Sequence, residues 1–157
     1  MSTSEDIVRE VRIAAPPTDV FPFFTDPSKM IVWKAVEATL DPRPGGIFRI
    51  DVTGRDVALG EYVEIDPPRR VVFTFGWEAE SSPAPPGSTT VEVTLVPDGD
   101  GTLLRLVHRG VPAEIRAGST GGWDHYLPRL VTAVEGGEPG PDPWADAVSA
   151  SNRGGSA

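Results

Sequence analysis

Hydrophobic positions along this chain change period twice, dividing it into a first strand, a short helical passage, a long series of strands and a final helix. Ile7, Val11 and Ile13 share one register while Glu10 and Arg12 occupy the other, which predicts a half-buried strand. Ala15-Pro16-Pro17-Thr18-Asp19 then supplies turn and helix-entry chemistry ahead of Val20, Phe21, Phe23 and Phe24, with Pro22 making that helix imperfect. Thr25-Asp26-Pro27 restarts the chain, because Asp or Thr can cap a second short helix carrying Met30, Ile31 and Trp33.

Period two follows. Glu37 to Leu40 reads as a weak strand, and Phe48, Ile50 and Val52 alternate with Arg49, Asp51 and Thr53. Val57, Leu59, Val63 and Ile65 share a register that also contains Glu61, which would turn that carboxylate inward. Val71, Phe73, Phe75 and Trp77 face one way in the clearest strand, and Val91, Val93 and Leu95, then Leu104, Leu106 and His108, form the inward registers of the last two. Short Gly- and Pro-containing turns between these runs predict an antiparallel meander. Pro112 to Ala117 reads as a helical turn that Gly118-Ser119-Thr120-Gly121-Gly122 interrupts. Beyond it Trp123, Leu127, Leu130, Val131 and Val134 fall at helical spacing, with Pro128 expected to bend the helix near Asp124. The predicted fold class is α+β. Residues 1–137 form the expected domain, and 138–157 a flexible Gly/Pro-rich tail with Trp144 as its one large anchor.

Composition then removes several function classes. The 157 residues suit one domain, and no apolar run is long enough to cross a bilayer. Acidic residues stand where a secretory signal would be basic, so the expected location is cytoplasmic. There is no cysteine, which excludes disulfides and thiol chemistry. A formal net charge of -9 argues against nucleic acid and anionic membrane as partners. His108 and His125 are the only histidines, without metal-ligand spacing, so no metal is expected. No phosphate-binding or dinucleotide loop and no nucleophile elbow is present, so no cofactor is expected either.

Local text narrows the fold further. Ala14-Ala15-Pro16, Thr25-Asp26-Pro27 followed by Trp33, Pro44-Gly45-Gly46-x-Phe48, the run from Gly60-Glu61-Tyr62 to Pro67-Pro68-Arg69-Arg70, and Gly122-Trp123-x-x-x-Leu127-x-x-Leu130 resemble bacterial proteins similar to the activator of Hsp90 ATPase homologue 1, within the START-like (SRPBCC) superfamily. The resemblance covers roughly residues 5 to 135. It implies the helix-grip fold, a curved antiparallel sheet wrapped around a long C-terminal helix, with a deep cavity between them that takes apolar ligands. An Hsp90-type chaperone is not an expected partner of a bacterial single-domain relative, and a homodimer stays open.

On this reading the ligand-binding candidates are Trp33, Phe48, Ile50, Glu61, Phe73, Phe75, Trp77, Leu106, His108, Trp123, Tyr126 and Leu127; any one of the aromatics taken singly reads better as ordinary core, and it is the set that points to a cavity wall. His108 is either a hydrogen-bonded wall residue or a ligand anchor or proton shuttle. Glu61 is either inward, as one half of an acid/base pair with His108, or turned to solvent by a bulge near Gly60. Binding of a small hydrophobic molecule, as carrier, sensor or sequestering protein, is the first expectation. An enzyme acting on an apolar or polyketide-like substrate in the same cavity, and a co-chaperone-like interaction module, are the alternatives.

Overall fold

A computed structural model describes residues 6–79 and 82–145. Seven strands, β1 (Ile7–Ile13), β2 (Glu37–Leu40), β3 (Ile47–Asp51), β4 (Val57–Asp66), β5 (Arg70–Phe75), β6 (Thr89–Asp98) and β7 (Gly101–Arg109), form one antiparallel sheet in the order β1-β7-β6-β5-β4-β3-β2. Strands β2 to β7 run as successive hairpins, as the turn signals predict. Between β1 and β2 the chain crosses the sheet through α1 (Pro17–Val20), a 3-10 turn (Phe21–Phe24) and α2 (Pro27–Trp33). Asp26 caps α2 by accepting from the Ser28 amide at 2.9 Å, and Pro27 occupies the first turn, where a missing N–H costs nothing.

Helix α3 (Ala113–Val134) closes the concave face. It begins ten residues earlier than the apolar stripe predicts, because the Gly118–Gly122 run continues the helix instead of interrupting it. Propensity alone disfavours those glycines, but each adds only about 1 kcal/mol of cost, and docking of the following turns outweighs it. Trp123, Tyr126, Leu127 and Leu130 are buried beneath the helix, and Asp124 pairs with Arg9 of β1 at 2.6 Å. Pro128 lies inside the helix as the sequence requires, its carbonyl accepting from the Thr132 hydroxyl at 3.1 Å.

Strand β4 overturns its expected register. Ala58 and Tyr62 are fully buried while Val63 is 51% exposed, and Glu61 faces solvent with Val63 on the outer side. Counting apolar side chains favours the wrong face, because Val57, Leu59 and Val63 outnumber the small residues opposite. Cross-strand pairing decides it. Phe48 and Ile50 of β3 lie opposite Gly60 and Ala58, so all four share the inner face. Phe48 then stacks on Phe73 of β5 at 4.0 Å and 12°, across the intervening strand. Strands two apart are about 9.6 Å distant, so rings can meet over β4 only where its own side chains are small. The bulge falls at Val63, between the Tyr62–Phe73 and Glu64–Val72 pairs, and brings Ile65 back opposite buried Val71. It does not fall at Gly60.

Candidate functional site

Six of the twelve candidate residues form packed core. Trp33, Phe48, Ile50, Phe73, Leu106 and Leu127 are at most 2% exposed and belong to the main apolar cluster. Trp33 donates its indole N–H to the Phe23 carbonyl at 3.0 Å, and the Tyr62 hydroxyl donates to the Phe24 carbonyl at 2.8 Å. These two bonds fasten the 3-10 turn to α2 and to the sheet. Both are structural ties, with the polar tip of a buried aromatic satisfied by backbone.

The other inward candidates come together at one end of the sheet. Phe75, Trp77, His108, Trp123 and Tyr126 border a cavity of about 580 Å³ between the ends of β5 and β7 and the first half of α3. Lys34, Trp144, Ile115, Gly118 and Gly122 complete much of its wall, and Arg55, Asp56 and Glu78 also border it. The glycines of α3 leave this space open, since a Cβ at 118 or 122 would meet nothing within 4 Å. Glu61 is absent from it, because its side chain is exposed on the outer face of β4.

His108 is 3% exposed and fully bonded. The Trp123 indole N–H donates to its Nδ1 at 3.1 Å, so Nδ1 holds a lone pair and the proton resides on Nε2. Nε2 lies 2.8 Å from the Thr89 hydroxyl oxygen, whose own hydrogen goes to the Phe75 carbonyl at 2.6 Å. The neutral tautomer satisfies every donor and acceptor in this chain. Burial, reinforced by the positive charge of Lys34, pushes the imidazole down to about 4. His108 is thus held neutral as a wall residue. It shares no site with Glu61, which removes the acid/base pair.

Two residues that the pattern does not single out shape the site. Lys34, directly after α2, is 7% exposed and stands over Tyr126 at 4.4 Å, Trp123 at 4.6 Å and Phe75 at 5.9 Å. Burial pushes its ammonium down to about 7, against the opposing field of Asp142. A lysine following a short helix reads in sequence as a solvated cap, so only the tertiary contacts reveal it. Asp142 accepts from the Tyr126 hydroxyl at 2.6 Å and from the Trp144 amide at 3.0 Å, and lies 2.7 Å from His125 Nε2. Burial raises its carboxyl, but the bonds from Tyr126, His125 and the Trp144 amide together outweigh that and hold it below its ordinary value. Trp144 stacks on His125 at 3.9 Å and 10°, so residues 138–145 pass over α3 and wall one side of the cavity. The remaining tail lies outside the described residues.

A family model for activator of Hsp90 ATPase homolog 1-like proteins matches residues 14–135. The chain belongs to this family. An AHSA1-like protein of Rhizobium etli is 44% identical, with 92% of this chain and 91% of that one covered and a TM-score of 0.70. DynU16, from the dynemicin biosynthetic locus, shares the fold at 23% identity and a TM-score of 0.74, over 87% of this chain and 49% of that one. An uncharacterised protein of Schizosaccharomyces pombe is 26% identical over 133 residues, which are 83% of this chain; the chain spans only 37% of that curated relative's length. Two negative observations complete the site of this AHSA1-like chain. Among the described residues no helix is long and apolar enough to cross a membrane, and no group of His, Asp and Glu could hold a metal ion.

Proposed function

We propose that this AHSA1-like chain binds a small hydrophobic molecule in the cavity between the sheet and α3. The observation that carries the proposal is the wall itself: Phe75, Trp77, Trp123, Tyr126 and Trp144 surround a space whose size falls within the usual range for small-molecule sites. Cores of this density rarely leave such a volume between aromatic rings. The separation of Glu61 from His108 favours a carrier, sensor or sequestering role over acid/base catalysis.

A neutral apolar dye such as N-phenyl-1-naphthylamine tests this. It should bind one saturable site and quench tryptophan emission, because Trp77, Trp123 and Trp144 border the space. Gly122→Leu should abolish that binding and leave a cooperative melt, since the added side chain enters open space. Dye binding that is non-saturable, or unchanged by Gly122→Leu, would overturn the proposal. Leu106, one of the sequence's candidates, is fully buried in packed core and does not border the cavity, so enlarging it would not test the site.

A further inference from the structure

One side chain in the cavity is explained neither by the apolar wall nor by the fold. Lys34 is nine-tenths buried, yet its Nζ has no hydrogen bond and no carboxylate within ion-pair distance among the described residues. It stands over three rings, those of Tyr126, Trp123 and Phe75. Asp142 is the nearest source of opposing field, but both its oxygens are already engaged by Tyr126, His125 and the Trp144 amide. A cation held in the wall of an apolar cavity without a partner is costly, and the cost is relieved most fully if an anion arrives or the proton leaves. Aromatic faces relieve a part of it.

We propose that Lys34 is the recognition residue for the acidic group of an aromatic ligand, the ring packing against Phe75, Trp77 and Trp123 while the anion meets the Lys34 ammonium. This deepens the cavity reading and rests on it. The same residues explain why the anion would come from the ligand: every described carboxylate bordering the space, Asp56 and Glu78, has a partner elsewhere, Thr53 at 2.7 Å and Arg49 at 3.3 Å. An uncharged aromatic would leave Lys34 as it is. An aromatic acid gains an ion pair against a largely apolar wall, where it counts for more than in bulk water.

The proposal has a pH signature. The groups around Lys34 are His108 from β7, Tyr126 from α3, Asp142 and His125 on the side of residues 138–145, and Arg55, Asp56 and Glu78 at the rim. His108 is held low at about 4, burial pushes Tyr126 up, and Asp142 is held below its ordinary value, so His108 and Tyr126 stay neutral and Asp142 stays ionised as the pH rises through 7. Lys34 loses its proton as the pH rises through about 7. An acid ligand should follow it.

Calorimetry on the full chain with 2-naphthoate and its uncharged isostere 2-naphthamide tests this. At pH 6.5 the acid should bind about tenfold or more tightly than the amide, and its affinity should fall by about tenfold per unit as the pH rises above 7, while the amide stays level. Lys34→Met should keep amide binding, lose the preference for the acid and flatten the profile. Equal binding of acid and amide to the wild-type chain, or a Met variant that keeps the preference and the slope, would overturn the assignment. Should Lys34→Met fail to fold, the wild-type ratio and pH profile decide on their own. Saturable binding of the neutral dye without acid preference would sink this inference alone, whereas no binding of dye, acid or amide would sink the cavity reading with it.

Discussion

The Thr89–His108–Trp123 chain shows how a single ring can look functional in sequence and be structural in place. With Nδ1 accepting from indole and Nε2 donating to a hydroxyl, protonation would set two N–H groups against each other. His108→Leu should therefore cost about 1–3 kcal/mol, the range for stranding a buried donor such as the Trp123 indole N–H. Denaturant melts check this. The imidazole also makes folding pH-dependent. Its folded value, about 4, lies below the unfolded one, so its contribution is complete above pH 6.5 and is lost as pH falls toward 4. Lys34 follows the same sign in another window. Its folded value of about 7 lies below the ordinary 10.5, so its contribution to stability grows as pH rises from 7 toward 10.5. Lys34→Met should melt higher than wild type at pH 7, with the gap closing toward pH 10 in a scan of melting temperature against pH. A constant gap would show that Lys34 keeps its charge in the folded protein.

Elements carry the second kind of information, and glycine acts in opposite ways in two of them. Gly121 sits in α3, where a Cβ would meet nothing within 4 Å and where glycine only raises the entropy cost of the helix. Gly121→Ala should stabilise the protein by about 0.5–1 kcal/mol. The same change at Gly118 or Gly122 should stabilise similarly but weaken dye binding, because those positions border the cavity. Gly60 in β4 is the reverse case. A Cβ there would collide with the Thr74 carbonyl, a backbone atom that cannot swing aside. Gly60→Ala should thus destabilise strongly, by about 3 kcal/mol or more if the strand must shift. Comparing the four alanine variants by melting and by dye titration separates the helix's propensity from its role as a wall.

At the scale of the whole molecule, we expect residues 138–145 to trim the site more than to hold the fold. Arg129 donates to the Trp33 carbonyl at 3.0 Å and to the Gly140 carbonyl at 2.9 Å, tying α3, α2 and this segment together. Truncation after Gly137 should leave a cooperative melt at lower temperature, because the sheet, α2 and α3 keep their shared core. It should also weaken dye binding by removing Trp144 from the wall. Undiminished binding would show that the segment lies apart from the site. The sequence by itself determined the element order, the antiparallel meander and the inward registers of β3, β5, β6 and β7, because period-two alternation of Phe48, Ile50, Phe73, Phe75, Leu104 and Leu106 is a local signal that burial of one sheet face imposes. It also placed Trp123 and Tyr126 on the covering helix. Tertiary structure alone decided the register of β4, where ring stacking across the strand demands small residues inside and leaves the larger apolar ones out. It alone carried α3 through its glycines, since docking supplies what propensity lacks. It alone made Lys34 a buried cation, because the environment of a side chain beyond a helix end depends on what the distant chain, here Phe75, Trp123 and Tyr126, brings to meet it.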